Sequence, residues 1–433
     1  MMEKEVDVLI LGGSFSGASA GMLLQRWHPG AKVLVVERSG EFDRKVGEST
    51  SEVAGCFLTR VLGLSGYLSR NHITKHGLRM WFNGGGNECF SQCTEIGPRY
   101  QVRLPTYQLD RSELDEYLIG QAEASGCEVM RPATVRDLQL GGEGENSAVV
   151  KAAGGEEISV KARWVIDASG KAAVVARQRK TWRRLEGHPT NSVWARFKNV
   201  GDLDSAELWE KFPCYKNAAE SPRGAATNHL MGYGWWCWII PLKNGDVSAG
   251  LTWNPDLFDL PRGGSLSERL QAHLVQHPVG KELFGDATPL EKDTRTYSHL
   301  PYFSTEVAGD GWAAVGDACG FMDPLYSQGL DYCSHTTYAV ARMVATSLGG
   351  GCVKAASDRY RMQFKESYFR WYGALYRGKY EYLGDAELMH AAFLLDVGSY
   401  FMGPVRLVYE EEEKEYLTLP YNGQGGRLFA GFM

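Results

Sequence analysis

Val6-Asp7-Val8-Leu9-Ile10-Leu11-Gly12-Gly13-Ser14-Phe15-Ser16-Gly17 is the stretch on which the fold turns. Its first six residues have the apolar, β-branched character of a strand buried in a parallel sheet. The next six form a small-residue turn, and Ala18, Ala20, Met22 and Leu23 continue it as a helix. A strand that feeds a glycine turn and then a helix can hold a dinucleotide pyrophosphate at the helix N-terminus. In this reading Gly12 makes the tight turn, the small Ser14 lets phosphate approach the backbone, and Gly17 lets helix and strand pack closely. Ser16 belongs to the same turn, and Ser14 stands where the usual fingerprint has a second glycine. A second apolar run, Lys32-Val33-Leu34-Val35-Val36, ends on Glu37, placed to accept hydrogen bonds from both ribose hydroxyls of an adenosine. The order strand, turn, helix, strand, acid predicts a site for an ADP-containing cofactor.

The rest of the composition is ordinary for a soluble globular protein. The 433 residues suffice for about two or three domains at ~150 residues each. With 44% hydrophobic and 23% charged residues, disordered, collagen-like and coiled-coil readings fall away. The 46 Lys and Arg against 52 Asp and Glu leave a net charge of −6, which offers no field for nucleic acid. Nine scattered cysteines suit a reducing cytoplasm. Cys89 and Cys93 are the only close pair and lack a nearby histidine, so no metal site is expected. No apolar run approaches the ~20 residues of a membrane span, and the Met-Met-Glu-Lys-Glu start is too acidic for a secretory signal.

Far downstream, the strand Trp312-Ala313-Ala314-Val315 leads into Gly316-Asp317-Ala318 and on to Pro324 and Gly329. This GDAxxxxxPxxxxG pattern resembles the second FAD motif of the superfamily of class A flavin monooxygenases, flavin-dependent halogenases and geranylgeranyl reductases. The resemblance implies that Asp317 holds a ribityl hydroxyl, that Pro324 lies beside the isoalloxazine, and that Gly329 and Leu330 offer backbone N–H groups to the pyrimidine edge. Gly47-Glu48-Ser49 resembles the family's GES segment. Leu109-Asp110-Arg111 resembles its arginine-bearing helix, and Asp167-Ala168-Ser169-Gly170 its return turn. Gly47, Glu48 and Arg111 are thereby implied in holding FAD.

Trp236-Cys237-Trp238-Ile239-Ile240-Pro241 fits the WxWxIP pattern that marks flavin-dependent halogenases. Physically it is one arm of a hairpin, because Lys243-Asn244-Gly245-Asp246 is a turn signal. Period-2 alternation puts Trp236, Trp238 and Ile240 on one face. Together with Trp81 and Phe82 the two tryptophans are candidate walls for an aromatic substrate. Lys75 resembles the lysine that orients or captures hypohalous acid in halogenases, and with His76 it is the candidate proton donor or acceptor. Tyr326 replaces the glutamate of tryptophan halogenases. Gln328 replaces a small hydroxyl residue of the halide pocket and is expected to fill it.

The expected fold is α/β: a Rossmann-like FAD domain (1–70, 100–180 and 295–345), an antiparallel substrate sheet (71–99 and 185–294), and a helical, aromatic-rich C-terminal region (346–433). Within that last region Glu410–Glu413 reads as a solvated acidic run. The expected activity is FAD-dependent hydroxylation of an electron-rich arene through a flavin C4a-hydroperoxide. The arene is an indole or phenol, extending to a peptide-borne tryptophan such as the one hydroxylated in tryptophylquinone maturation. Dioxygen is the co-substrate, with electrons from NAD(P)H or a partner flavin reductase. The alternatives are a halogenase, a prenyl reductase, and a non-catalytic flavoprotein that docks a partner.

Overall fold

Parallel pairing brings the carboxyl ends of four strands into line. Leu11, ending Met2–Leu11, stands beside Val36 of Val33–Val36 and Asp167 of Glu157–Asp167, and Asp167 stands beside Ala314 of Trp312–Ala314. The structure, a computed structural model, describes residues 2–433 except 85, 87, 88, 101, 216–219, 411–418, 421 and 423–433. Glu411–Glu413 of the acidic run therefore lie outside the described residues, and Glu410 is exposed.

The run Val6–Leu11 is apolar almost throughout because both faces of its sheet are covered. Val8, Ile10, Val33 and Val35 pack toward the helices Phe15–Trp27 and Arg111–Ala124. Leu9, Leu11, Leu34 and Val36 pack on a hairpin layer built from Ala133–Gln139 and Asn146–Ala152. The long helix Gly329–Leu348 lies against Phe15–Trp27 and completes the helical side.

A second sheet forms a roof, in the order Thr288–Pro289, Asn191–Lys198, Val247–Trp253, Trp235–Pro241, Thr227–Gly232, Leu78–Phe82, Thr94–Ile96. It is antiparallel except where Thr227–Gly232 runs parallel to Leu78–Phe82. The turn before Val247–Trp253 closes as the sequence suggests, with Gly245 at φ +88° and its N–H donated to the Leu242 carbonyl. Strand alternation divides the roof between two cores. Met80, Phe82, Trp194, Met231, Trp236, Trp238 and Ile240 face the cofactor domain. Trp81, Leu230, Cys237 and Ile239 face the helices Leu266–Leu274 and Pro278–Phe284. Trp81 and Phe82, expected as joint walls of one pocket, are sequence neighbours in one strand and so point to opposite faces. Trp81 packs on Phe90 and Tyr215, and its indole N–H bonds Asn228.

The C-terminal layer begins with Lys354–Trp371 and includes Ala386–Tyr400. Its Tyr360, Phe364, Tyr368, Trp371, Tyr376 and Tyr380 are buried in the same core as the cofactor domain. The helical run Ala386–Glu410 is long and apolar enough to cross a membrane by length and composition, a run that the sequence reading passes over. Its inner face carries Met389, Ala392, Asp396 and Tyr400 into the layer, while Leu394, Leu395 and Met402 are exposed. None of the nine cysteines is disulfide-bonded.

Candidate functional site

The cofactor cradle starts at two glycines whose neighbours leave no room for a side chain. Gly12 has φ +99°, and a Cβ there would sit 2.6 Å from the Ala168 carbonyl oxygen; a Cβ on Gly17 would sit 1.9 Å from the Gly12 oxygen. Glu37 is buried at its strand end, where it accepts the Gly13 N–H at 2.8 Å and the Ser39 N–H at 2.9 Å. Two bonds fill half of its roughly four lone-pair sites.

Beside the turn, Lys45 Nζ lies 2.6 Å from both Ser14 Oγ and Asp115 Oδ2. Arg111 Nη2 lies 3.1 Å from Asp115 Oδ1 and 3.4 Å from Ser14 Oγ. Burial would raise the Asp115 carboxyl, but Arg111 and Lys45 hold it below its ordinary range. Two cations thus share one carboxylate at the positive end of a helix, which leaves net positive charge for a diphosphate. The buried Arg111 Nε finds no protein partner among the described residues. Gly47, at φ +92°, lets the guanidinium approach, since a Cβ there would meet Nη1 at 2.6 Å.

The GDA turn faces this cluster. The Gly316 N–H donates to Thr336 Oγ1 at 2.8 Å. Burial pushes the Asp317 carboxyl up, opposed by Arg111 and Lys45, so one electrostatic field spans both motifs. A Cβ on Gly316 would lie 2.6 Å from Ser16 Oγ, so the two turns meet there. Pro324 opens a tight turn in which Tyr326 and Ser327 both adopt left-handed backbone, φ +70° and +60°. For non-glycine residues this costs about 1–3 kcal/mol each. Gly329 and Leu330 follow at the N-terminus of Gly329–Leu348, where helix N–H groups lack intrahelical acceptors. The cradle, the paired cations and the buried Asp317 together suit the phosphates and ribityl chain of FAD.

Glu48 is tied to the roof through one of its oxygens. Its Oε1 accepts from Arg196 Nη2 at 2.8 Å and Nε at 3.0 Å, and both residues are buried. Arg196 also reaches Asp293 at 3.1 Å, so Glu48 ties the GES segment to the roof strand Asn191–Lys198. One oxygen of this carboxylate is thus an anchor between layers, while Oε2 is buried with no hydrogen-bond partner among the described residues.

Lys75 follows the short strand Ile73–Thr74 and is 3% exposed, where a solvated strand-edge lysine would be open to water. Its Nζ donates to the Thr50 carbonyl at 2.7 Å, just past the GES segment. Burial lowers its pKa to about 8, opposed by Glu52 and Asp331. Its charge also acts on the buried His229, held neutral chiefly by burial, whose ring lies 5.4 Å from Trp236. Trp236 and Trp238 lie 5.8 Å apart on the flavin-side face. His76 is half-buried, and burial together with Arg79 lowers its pKa. The two neighbours thus have different charged partners. The Gln328 amide is held from the C-terminal layer: its Oε1 accepts the Trp371 indole N–H at 2.6 Å, and it lines a small cleft with Asp331 and Tyr332 of Gly329–Leu348 and with Tyr400. Tyr326 likewise reaches into that layer, donating to Asp396 Oδ2 at 2.8 Å.

A family model described as an FAD binding domain matches residues 5–366. The chain belongs to that family. Within it, this flavoprotein is a member of the flavin-dependent halogenase and aromatic monooxygenase superfamily, and its cofactor is FAD. It is 26% identical over 379 residues to a tryptophan 2-halogenase of Chondromyces crocatus, covering 86% of this chain and 67% of the relative. The flavin-dependent brominase Bmp2 superposes with a TM-score of 0.77 at 22% identity, covering 99% of this chain and 98% of that one. The halogenase PltM in complex with phloroglucinol and FAD gives 0.80 at 18% identity, covering 98% and 90%. These two likenesses bear on the fold.

Several residues of the flavoprotein's site escape sequence reasoning. Lys45 and Asp115 complete the phosphate cluster. Asp115 could have been found four residues after Arg111, on the same helix face. His229 carries no motif. Asp323 is a hub: its Oδ1 accepts the Leu325 N–H at 3.0 Å, and its Oδ2 receives Tyr380 at 2.8 Å and His188 at 2.9 Å. Tyr380 in turn accepts the Trp236 indole N–H at 2.8 Å.

Proposed function

We propose that this flavoprotein is a halogenase of electron-rich arenes, working in the cytoplasm on an indole or phenol. The observation that carries this reading is Lys75, a buried amine beside the GES segment whose charge reaches the face bearing Trp236. Reduced FAD with dioxygen supplies the oxidising equivalents, and the electrons come from NAD(P)H through a partner reductase. The protein's own task is to hold the arene and to exclude water from the oxidised halide. Lys75, in its ammonium form, donates a hydrogen bond to the hypohalous acid and orients it toward the ring. Trp236, Trp238 and Phe82 wall the arene. The names of the relatives favour halogen over oxygen transfer. The steric ground for hydroxylation is weakened, because the Gln328 amide is turned onto Trp371.

The test supplies full-length protein with reduced FAD, dioxygen and bromide, and analyses indole and phenol substrates, free and within peptides, by mass spectrometry. A bromine isotope doublet in the main product is expected. Hydroxylated arene without bromine, at a rate indifferent to halide, would overturn the reading in favour of a hydroxylase.

A further inference from the structure

Four side chains of the C-terminal layer converge on the turn between Asp323 and Gln328. Trp371 donates to Gln328, Tyr376 donates to the Leu325 carbonyl at 3.0 Å, Tyr380 donates to Asp323, and Asp396 accepts from Tyr326. The fourth contact is the unusual one. Asp396 is ion-paired with Lys379, and both are nearly inaccessible, at 4% and 1%. Burying two charges costs desolvation that a well-packed apolar pair would avoid. Among the described residues the pair's one further side-chain hydrogen-bond partner is the Tyr326 hydroxyl, 3.2 Å from Lys379 Nζ and 2.8 Å from Asp396 Oδ2. The residue it grips is the first of two successive non-glycine residues in left-handed backbone. Such conformations persist only where their surroundings over-determine them. The ion pair sits where that constraint must be applied.

We propose that Lys379 and Asp396 are positioning residues for the cofactor. Through the Tyr326 hydroxyl they hold the Tyr326-Ser327 turn left-handed, and this fixes the direction in which Gly329–Leu348 begins. The N–H groups of Gly329 and Leu330 are thereby aimed at the flavin's pyrimidine edge. The clamp depends on FAD being the cofactor and not on whether halogen or oxygen is transferred.

The experiment titrates flavin-free, full-length protein with FAD, at a temperature where circular dichroism shows each variant folded, and follows amide hydrogen exchange over 325–330. Tyr326→Phe keeps the ring and removes the grip; FAD affinity is expected to fall about ten-fold, the worth of a hydrogen bond to a charged group, with faster exchange in the turn. Lys379→Met with Asp396→Leu keeps the layer filled without stranding a charge. It is expected to keep or raise the melting temperature while losing FAD affinity to a similar extent. Unchanged FAD affinity and exchange in Tyr326→Phe would overturn the clamp. So would a drop in melting temperature with FAD affinity intact, the outcome for residues that merely pack. Should the double variant fail to fold, Tyr326→Phe decides alone.

Discussion

Lys75 shows how much burial alone changes a residue. An exposed lysine carries its proton beyond pH 10, whereas this one titrates at about pH 8 because its ammonium is cut off from water. If the ammonium form orients the oxidised halide, turnover is full below about pH 8 and falls as pH rises through it. A neutral amine acting as nucleophile would give the opposite slope, so kcat against pH distinguishes the two. Lys75→Ala is expected to keep the flavin spectrum and lose most halogenated product. Asp331 shifts the other way: burial raises its carboxyl to about 7, offset by bonds from Ser51, Tyr400 and the Ala54 N–H. The unfolded carboxyl loses its proton first, at its ordinary 3.8, so this group's contribution to stability is present below pH 4 and lost as pH rises to 7. Asp331→Asn should flatten that loss, by on the order of 4 kcal/mol between pH 4 and 7.5 relative to wild type in urea unfolding. At this scale the sequence made Gly12, Gly17 and Glu37 legible, because their roles follow from neighbours within one strand–turn–helix unit. It could not show Gln328 facing Trp371, because the side chain's direction depends on a helix that arrives 43 residues later.

At the scale of elements, the join between roof and cofactor domain depends on few contacts of high consequence. Arg196 is fully buried and neutralised by Glu48 and Asp293, carboxylates 148 and 97 positions away. Removing the guanidinium strands the buried Glu48 carboxyl, which burial already pushes up, without its opposing charge. Arg196→Leu should therefore destabilise by about 3–5 kcal/mol, read from denaturant midpoints. Pairing it with Glu48→Gln should recover part of the loss, and simple additivity would show that the ion pair is not the cause. The hairpin ending at Asp246 makes a second join, since Arg44 Nη1 lies 2.6 Å from that carboxylate. Strand alternation predicted the shared face of Trp236, Trp238 and Ile240. The same alternation sets the adjacent Trp81 and Phe82 on opposite faces.

For the whole molecule, the C-terminal layer completes a site whose motifs all lie upstream of it. Its aromatic content is plain in the sequence, but the hydrogen-bond targets of those rings are not, because they lie more than 40 residues away. Tyr368 bonds the Tyr302 and Phe321 carbonyls, and Tyr360 bonds the Ala314 carbonyl beside the GDA turn. A chain stopped after Gly350 keeps every recognisable FAD motif yet loses these supports. It is expected to be recovered with little or no flavin, measured as the ratio of visible to ultraviolet absorbance; full flavin content would show the layer to be dispensable for binding. The two-faced strand Trp235–Pro241 has a consequence for how this protein can change in length. Neighbouring positions there belong to different interiors, so losing one residue would exchange the contents of both, sending Cys237 and Ile239 to the flavin side and the tryptophans away from it. Losing two would shorten the strand and keep each side chain with its own kind. Viable insertions and deletions within the roof strands should therefore come in even numbers, while the turns between them remain free to vary by one.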